Sequence, residues 1–164
     1  MDRLWAPWRM KYIAGKRKKK CIFCAALRSK CHPHIVIKGP HSFSMLNLFP
    51  YNNGHVMIAP RRHTGDFARL EPQELLDLFK TLEDTKHLIT QVLKPHGYNI
   101  GINTSYTAGA GIPTHLHIHL VPRWRGDTNF MPVIHNTKVI SQSLEELLKR
   151  LKHAQSKTNK KIRR

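Results

Sequence analysis

The segment HLHIHLVPRW, residues 115–124, constrains this chain more than any other stretch. His115, His117 and His119 recur at every second residue, and Leu116, Ile118 and Leu120 occupy the positions between them. In a β-strand, side chains at i, i+2 and i+4 share one face, so three imidazoles line up on one side while the aliphatic residues enter a core on the other. Strand faces open to water ordinarily carry Thr, Lys, Ser or Glu. A row of three histidines therefore marks a face that performs chemistry.

With 164 residues the chain suits one domain, long enough for a core that buries about two-thirds of the unfolded surface. No apolar run approaches the roughly 20 residues that span a bilayer, and the N-terminus lacks the apolar segment of a signal peptide. The expectation is a soluble, cytoplasmic protein with no membrane partner. The formal charge of +18 is concentrated at two places: KRKKK at residues 16–20, and residues 152–164, where six basic residues occur with no acid. Without these eleven charges about +7 remains on the rest of the chain. Basic tails attract nucleic acid, and a solvated tail is the plain alternative; a field of this sign attracts a polyphosphate in either case.

Three cysteines in a reducing compartment argue against a disulfide framework. Cys21 and Cys24 form CIFC, a spacing that aims two thiolates at one metal, and zinc requires two further ligands. Cys31, beside His32 and His34, reads as part of a loop.

Residues 1–20 combine Trp5, Trp8, Tyr12 and Ile13 with basic side chains, a basic and aromatic arm preceding a domain at 21–152 and a basic tail at 153–164. SFSMLN at 42–47 and HVMIA at 55–59 read as an antiparallel hairpin, because LFPYNNG between them is rich in turn residues. From Pro72 to Leu93, Leu75, Phe79, Leu82, Ile89 and Val92 recur at helical spacing, with Pro72 suited to the first turn and Pro95 beyond the end. Tyr98, Ile100 and Ile102 alternate with Asn99, Gly101 and Asn103 as a half-buried strand, and AGAGIP at 108–113 is a small-residue loop leading to the histidine strand. Ser143 with Glu146 suggests a capping box for a last helix carrying Leu144, Leu147, Leu148 and Leu151.

HLHIHLVPRW, LNLFPYNNGHVMIAPRRH at 46–63 and PRWRGDTNF at 122–130, with WAPWRMKYI near the start, resemble the histidine triad (HIT) family of nucleotide hydrolases and transferases. The likeness is to the bacterial branch that includes diadenosine tetraphosphate phosphorylases. It implies an α+β fold, with an antiparallel sheet of about five strands, a long helix packed on it, a C-terminal helix, and a homodimer. It implies His117 as the nucleophile, and His55 as a further histidine supporting the row. Asn47 occupies the position that contacts ribose, and Asn103 resembles a phosphate-side amide. The resemblance also completes a structural zinc site, Cys21 and Cys24 being joined by His63 and His115. A Mg2+ ion accompanying the polyphosphate is a second cofactor expectation.

The residues add to this. A neutral imidazole is a competent nucleophile, since its unperturbed pKa of about 6.5 leaves the ring mostly unprotonated. His119 on the same face is placed to donate where charge develops on a phosphate oxygen. Gly109 and Gly111 let backbone N–H groups approach a phosphate. At Gly111 many relatives carry Gln, and the space this leaves favours phosphate as acceptor. Arg123 is a candidate for distal phosphates and Trp124 for stacking on a base; Arg61 and Arg62 read as surface charges. The resemblance to the bacterial branch implies phosphorolysis of diadenosine tetraphosphate to ATP and ADP as the expected reaction. Hydrolysis of dinucleoside polyphosphates or of nucleoside phosphoramidates is the alternative enzyme reading. A zinc-stabilised basic nucleic-acid binding module, and deadenylation of blocked nucleic-acid ends, are the others.

Overall fold

A computed structural model of the protein describes residues 21–29, 33–127 and 142–162, with side chains as far as 157. The elements are α1 (Ile22–Arg28), β1 (Ile35–Lys38), β2 (Ser42–Leu46), β3 (Val56–Pro60), a 3-10 turn (Phe67–Arg69), α2 (Pro72–Leu93), β4 (Gly97–Ile102), β5 (Ile118–Arg123) and α3 (Leu144–Ile162). The five strands form one sheet in the order β1-β2-β3-β5-β4, antiparallel at each junction. The α+β expectation holds. The expected N-terminal arm, Cys31 and residues 128–130 lie outside the described residues.

Alternation divides the sheet into two faces. Val36, Leu46, Val56, Ile58, Ile118 and Leu120 pack with Leu78, Leu82 and Ile89 of α2 and with Leu147 and Leu151 of α3. On the opposite side Ile35, Phe43, Met45, Met57 and Ala59 meet Phe23 and Ala26 of the short α1. Met57 pairs with His119 across β3 and β5, so the histidines share the face that only α1 covers among the described residues. The two long helices therefore leave the chemical face open.

The helical stripe on α2 differs from the one expected. Its buried residues are Glu74, Leu78, Thr81, Leu82, Thr85, Leu88 and Ile89, while Phe79 is 56% exposed and Leu75 is half-buried. The centre of the buried face is polar. Ser42 Oγ donates to Asp77 Oδ2 at 2.7 Å and lies 2.7 Å from Thr81 Oγ1, and Thr85 Oγ1 is 3.0 Å from Ser44 Oγ. Because β2 turns serines toward the helix, threonines satisfy them, and counting apolar residues alone rotates the stripe away from its true centre.

Two boundaries also move. The regular ladder of β5 starts at Ile118, so His115 and His117 lie in the segment leading into the strand rather than within it. Leu116 N–H donates to Thr64 O there, taking that segment out of register with β3. α3 runs without a break through residue 152, so the expected tail begins inside a helix; Lys, Gln and Ala favour helix, and neither Pro nor Gly interrupts it. Ser143 Oγ accepts from Glu146 N–H at 3.2 Å, the serine half of the expected cap. β4 is an edge strand, which leaves Ile100 51% exposed instead of buried. No described helix is long and apolar enough to cross a membrane.

Candidate active site

The segment before β5, the turn after β2 and α1 together assemble a file of rings. His117 and His119 have centroids 4.9 Å apart, His119 and His55 5.1 Å, and Tyr51 closes the file 4.6 Å from His55. At the other end Phe23 lies 4.9 Å from His115 and 5.0 Å from His117. His55 and His117 are buried, and His119 is half-exposed.

Neighbouring groups assign the protons. His117 Nδ1 lies 2.9 Å from His115 O, and a carbonyl only accepts, so Nδ1 carries the hydrogen and Nε2 keeps its lone pair. His55 Nδ1 accepts from Tyr51 N–H at 3.1 Å, so the neutral ring carries its hydrogen on Nε2. That hydrogen points to His119 Nδ1 at 2.9 Å. His119 in turn carries its proton on Nε2.

All three rings are held neutral. Burial pushes His55 down to about 3, with His119 and His117 adding to the effect. Burial, then His117, brings His119 to about 4, and burial lowers His117 despite its bond to the His115 carbonyl. The unprotonated nitrogens of His55 and His119 accept hydrogen bonds, which leaves the lone pair on His117 Nε2 beside one N–H donor on His119.

Cys21, Cys24, His63 and His115 come together as the sequence proposed, their donor atoms all within 4.8 Å of one another. Cys21 Sγ is 3.3 Å and Cys24 Sγ 3.7 Å from His115 Nδ1; His63 Nδ1 is 3.3 Å from Cys24 Sγ and 3.2 Å from His115 Nδ1. Two sulfurs and two imidazole nitrogens converging from three segments could hold a metal ion. Burial pushes the Cys21 thiol up from its ordinary range, a cost that a bound cation would reverse.

Asn47 Nδ2 is 3.3 Å from His55 Nδ1, and its Oδ1 accepts from Phe49 N–H at 3.0 Å. Asn103 follows directly after β4, half-buried. Gly109, at φ +89°, turns its N–H inward to Tyr106 O at 2.9 Å, which removes that donor from any phosphate; Gly111 is exposed. Arg123 differs more. Its Nε and Nη2 bond Asp127 at 2.6 and 2.8 Å and its Nη1 bonds Asn99 Oδ1 at 2.6 Å, so its charge is matched by a carboxylate rather than offered to a distal phosphate. Trp124 is half-buried, and its N–H is also bound by Asp127. Arg62 pairs with Glu74.

A cavity of about 600 Å³ opens beside His63, lined by Thr64, Asp66, Arg69, Ser105 and Thr114 among others; His117 and His119 are not among its walls. Open space next to the row lies instead at Gly101, which pairs with His119 and whose added Cβ would meet nothing within 4 Å.

Phe23, Tyr51 and Asp127 were missed from the sequence. Phe23 stands between the two cysteines and Tyr51 is one of two aromatic residues, with Phe49, in the LFPYNNG turn, so an aromatic inside a motif was the available signal. For Asp127 no such signal exists.

The HIT domain family matches residues 28–126. The AP-4-A phosphorylase of Mycobacterium tuberculosis (strain H37Rv) is 35% identical over 156 residues, 89% of this chain and 80% of that protein. The asymmetrical bis(5'-nucleosyl)-tetraphosphatase of Schizosaccharomyces pombe is 36% identical over 86 residues, 52% of this chain and 47% of that one. The crystal structure of a hypothetical histidine triad nucleotide-binding protein from Sulfolobus tokodaii superposes with a TM-score of 0.70 at 23% identity, covering 87% of this chain and 96% of that chain. At that identity the structural likeness speaks for the fold.

Proposed function

The chain belongs to the HIT family, and from that premise we propose that it is a nucleotidyl transferase of dinucleoside polyphosphates, most specifically a diadenosine tetraphosphate phosphorylase working through a covalent nucleotidyl-histidine. The observation that carries this reading is the 2.9 Å contact of His117 Nδ1 with His115 O, which leaves Nε2 as the one free lone pair beside a donor.

His117 Nε2 attacks the α-phosphorus, forming an N–P bond, and the bond from that phosphorus to the bridging oxygen breaks, releasing ATP. Inorganic phosphate then attacks the same phosphorus, the N–P bond breaks, and ADP leaves with His117 restored. The Nε2–H of His119 donates to the oxygen on which charge develops, and His55 holds that ring in place. Asn47 retains capacity for a ribose contact beyond its bond to His55, and Asn103 and the exposed Gly111 line the approach to the phosphates. Arg123 enters as a brace for the 122–127 turn.

Zinc suits the four-donor set. Tetrahedral zinc with sulfur at about 2.3 Å and nitrogen at about 2.0–2.1 Å has edges of about 3.3–3.8 Å; four of the six donor separations run from 3.2 to 3.7 Å, and the other two lie within 4.8 Å. Bound there, the ion would act structurally, tying α1 and residue 63 to the start of the histidine segment. Mg2+ would arrive with the polyphosphate. The exposed edge of β4 with Ile100 supports homodimerisation. Hydrolysis is the second reading, favoured by the S. pombe relative. The basic nucleic-acid module is the reading of another class; Arg150 and Lys152, which precede the basic tail, donate to Val92 O and Val36 O within the fold.

The test is incubation of the purified protein with diadenosine tetraphosphate, with and without inorganic phosphate, followed by product separation. ADP that forms only with phosphate supports phosphorolysis. AMP regardless of phosphate selects hydrolysis, and no turnover removes this substrate.

A further inference from the structure

The turn that delivers His55 is fastened to a distant part of the chain by one buried side chain, Asn52, 8% exposed. Its amide Nδ2 donates to Pro122 O at 3.1 Å and to Asp127 Oδ2 at 2.8 Å, using both hydrogens. The anchor is itself braced: Asp127 takes two bonds from Arg123 and one from Trp124 N–H, and Arg123 reaches on to Asn99 of β4. Gly54 seats the same turn, since an added Cβ would come 3.1 Å from Pro122 Cγ and 2.6 Å from Leu93 Cδ1. Two of the groups that orient His55 flank this fastening. Tyr51, one residue before Asn52, supplies the N–H to Nδ1, and the carbonyl of Asn52 accepts His55 N–H at 3.2 Å.

We infer that Asn52 is a positioning residue for the His55–His119 pair: by docking the turn on Pro122 and Asp127 it holds the Tyr51 N–H against His55 Nδ1, the shorter of the two donor contacts there, and so biases which nitrogen of each ring carries the proton. Without that donor only the Asn47 Nδ2–H, at 3.3 Å, still holds His55 Nδ1 as an acceptor, and a share of the His55 rings takes its hydrogen on Nδ1 and presents a lone pair at Nε2. His119 then has to donate from Nδ1, and its Nε2 becomes a lone pair with nothing to give a phosphate oxygen. The turn clamp thus acts on the site without touching substrate. Only the activity arm of the test depends on the nucleotidyl-transfer reading.

Asn52→Asp is the sharpest variant, because it keeps the shape, removes both donors and sets a carboxylate against Asp127. The full chain, labelled with 15N-histidine, is compared with the variant by NMR, and turnover of diadenosine tetraphosphate with phosphate is measured alongside. The parent is expected to show His55 and His119 protonated on Nε2 alone. The variant should show a mixture, with kcat reduced about 10- to 100-fold and KM within about threefold. If Asn52→Asp does not fold, Asn52→Ser, whose single hydroxyl serves only one of the two acceptors, should show a partial mixture. Unchanged Nε2 protonation of both rings in the folded variant overturns the inference, whatever the turnover. A parent without turnover overturns the choice of substrate, and the NMR comparison still decides the role of Asn52.

Discussion

His115 Nε2 lies 2.9 Å from the carbonyl oxygen of Pro60, so that nitrogen carries the hydrogen and Nδ1 faces Cys21, Cys24 and His63 with its lone pair. A ligand histidine whose second nitrogen donates to a backbone carbonyl is oriented and made more basic by that bond. The first of the three spaced histidines therefore belongs to the sulfur and nitrogen set, and the phosphate chemistry falls to His117 and His119 with His55 behind them.

The metal reading predicts about one zinc per chain by elemental analysis of the purified protein. Cys24→Ser should lose it and lower the melting temperature by about 10 °C, the shift expected for a loss of roughly 3 kcal/mol in a chain of this size. Metal content and melting temperature both equal to the parent's would show that the four donors do not form a site.

His117→Asn should reduce turnover by about 10⁴-fold or more, since the unprotonated nitrogens of His55 and His119 already accept hydrogen bonds. Its melting temperature should stay within a few degrees of the parent's. Substantial residual turnover would remove His117 as nucleophile.

The buried His55 makes stability pH-dependent. Its folded-state pKa, pushed down to about 3, lies below the unfolded value of about 6.5, so the unfolded chain takes up the proton first. Its contribution is complete above pH 6.5 and is lost as pH falls toward 3. Urea unfolding should be easier at pH 5 than at pH 7, by about 2 kcal/mol from this residue, and His55→Gln should shrink the difference. An equal pH dependence in parent and variant would contradict the assignment.

Gly101 faces open space on the side of His119. Gly101→Val should fold at least as well, because valine favours strands, while its side chain narrows the approach to the row. The expected outcome is a fall in kcat/KM of about tenfold with a melting temperature within about 3 °C of the parent's. An unchanged kcat/KM would place substrate entry elsewhere.

Much of the fold was legible in the residues. Alternation in HLHIHL identified the chemical face, and the turn residues of LFPYNNG placed the hairpin to within one residue. Pro72 and the helical spacing identified the bounds of α2. Its buried face was not legible, because Thr81 and Thr85 are polar by composition and buried only for the sake of Ser42 and Ser44 on another element. Phe79 and Ile100 look like core residues in a one-dimensional pattern, yet whether a side chain meets a neighbour depends on what packs there.

The chain's local order by itself determined which residues lie on one side of a strand and which cysteines sit a turn apart, because these follow from the periods of the backbone. The tertiary structure alone decided that His115 turns to the cysteines, that Arg123 is claimed by Asp127, and that Asn52 holds the turn of His55. The first and the last rest on hydrogen bonds or close contacts between segments distant in sequence, and the Arg123–Asp127 pair, four residues apart, is joined to the rest of the sheet through Asn99. Whether a ring nitrogen holds a proton or a lone pair is set by the partner that reaches it, and spacing along the chain carries no record of that partner.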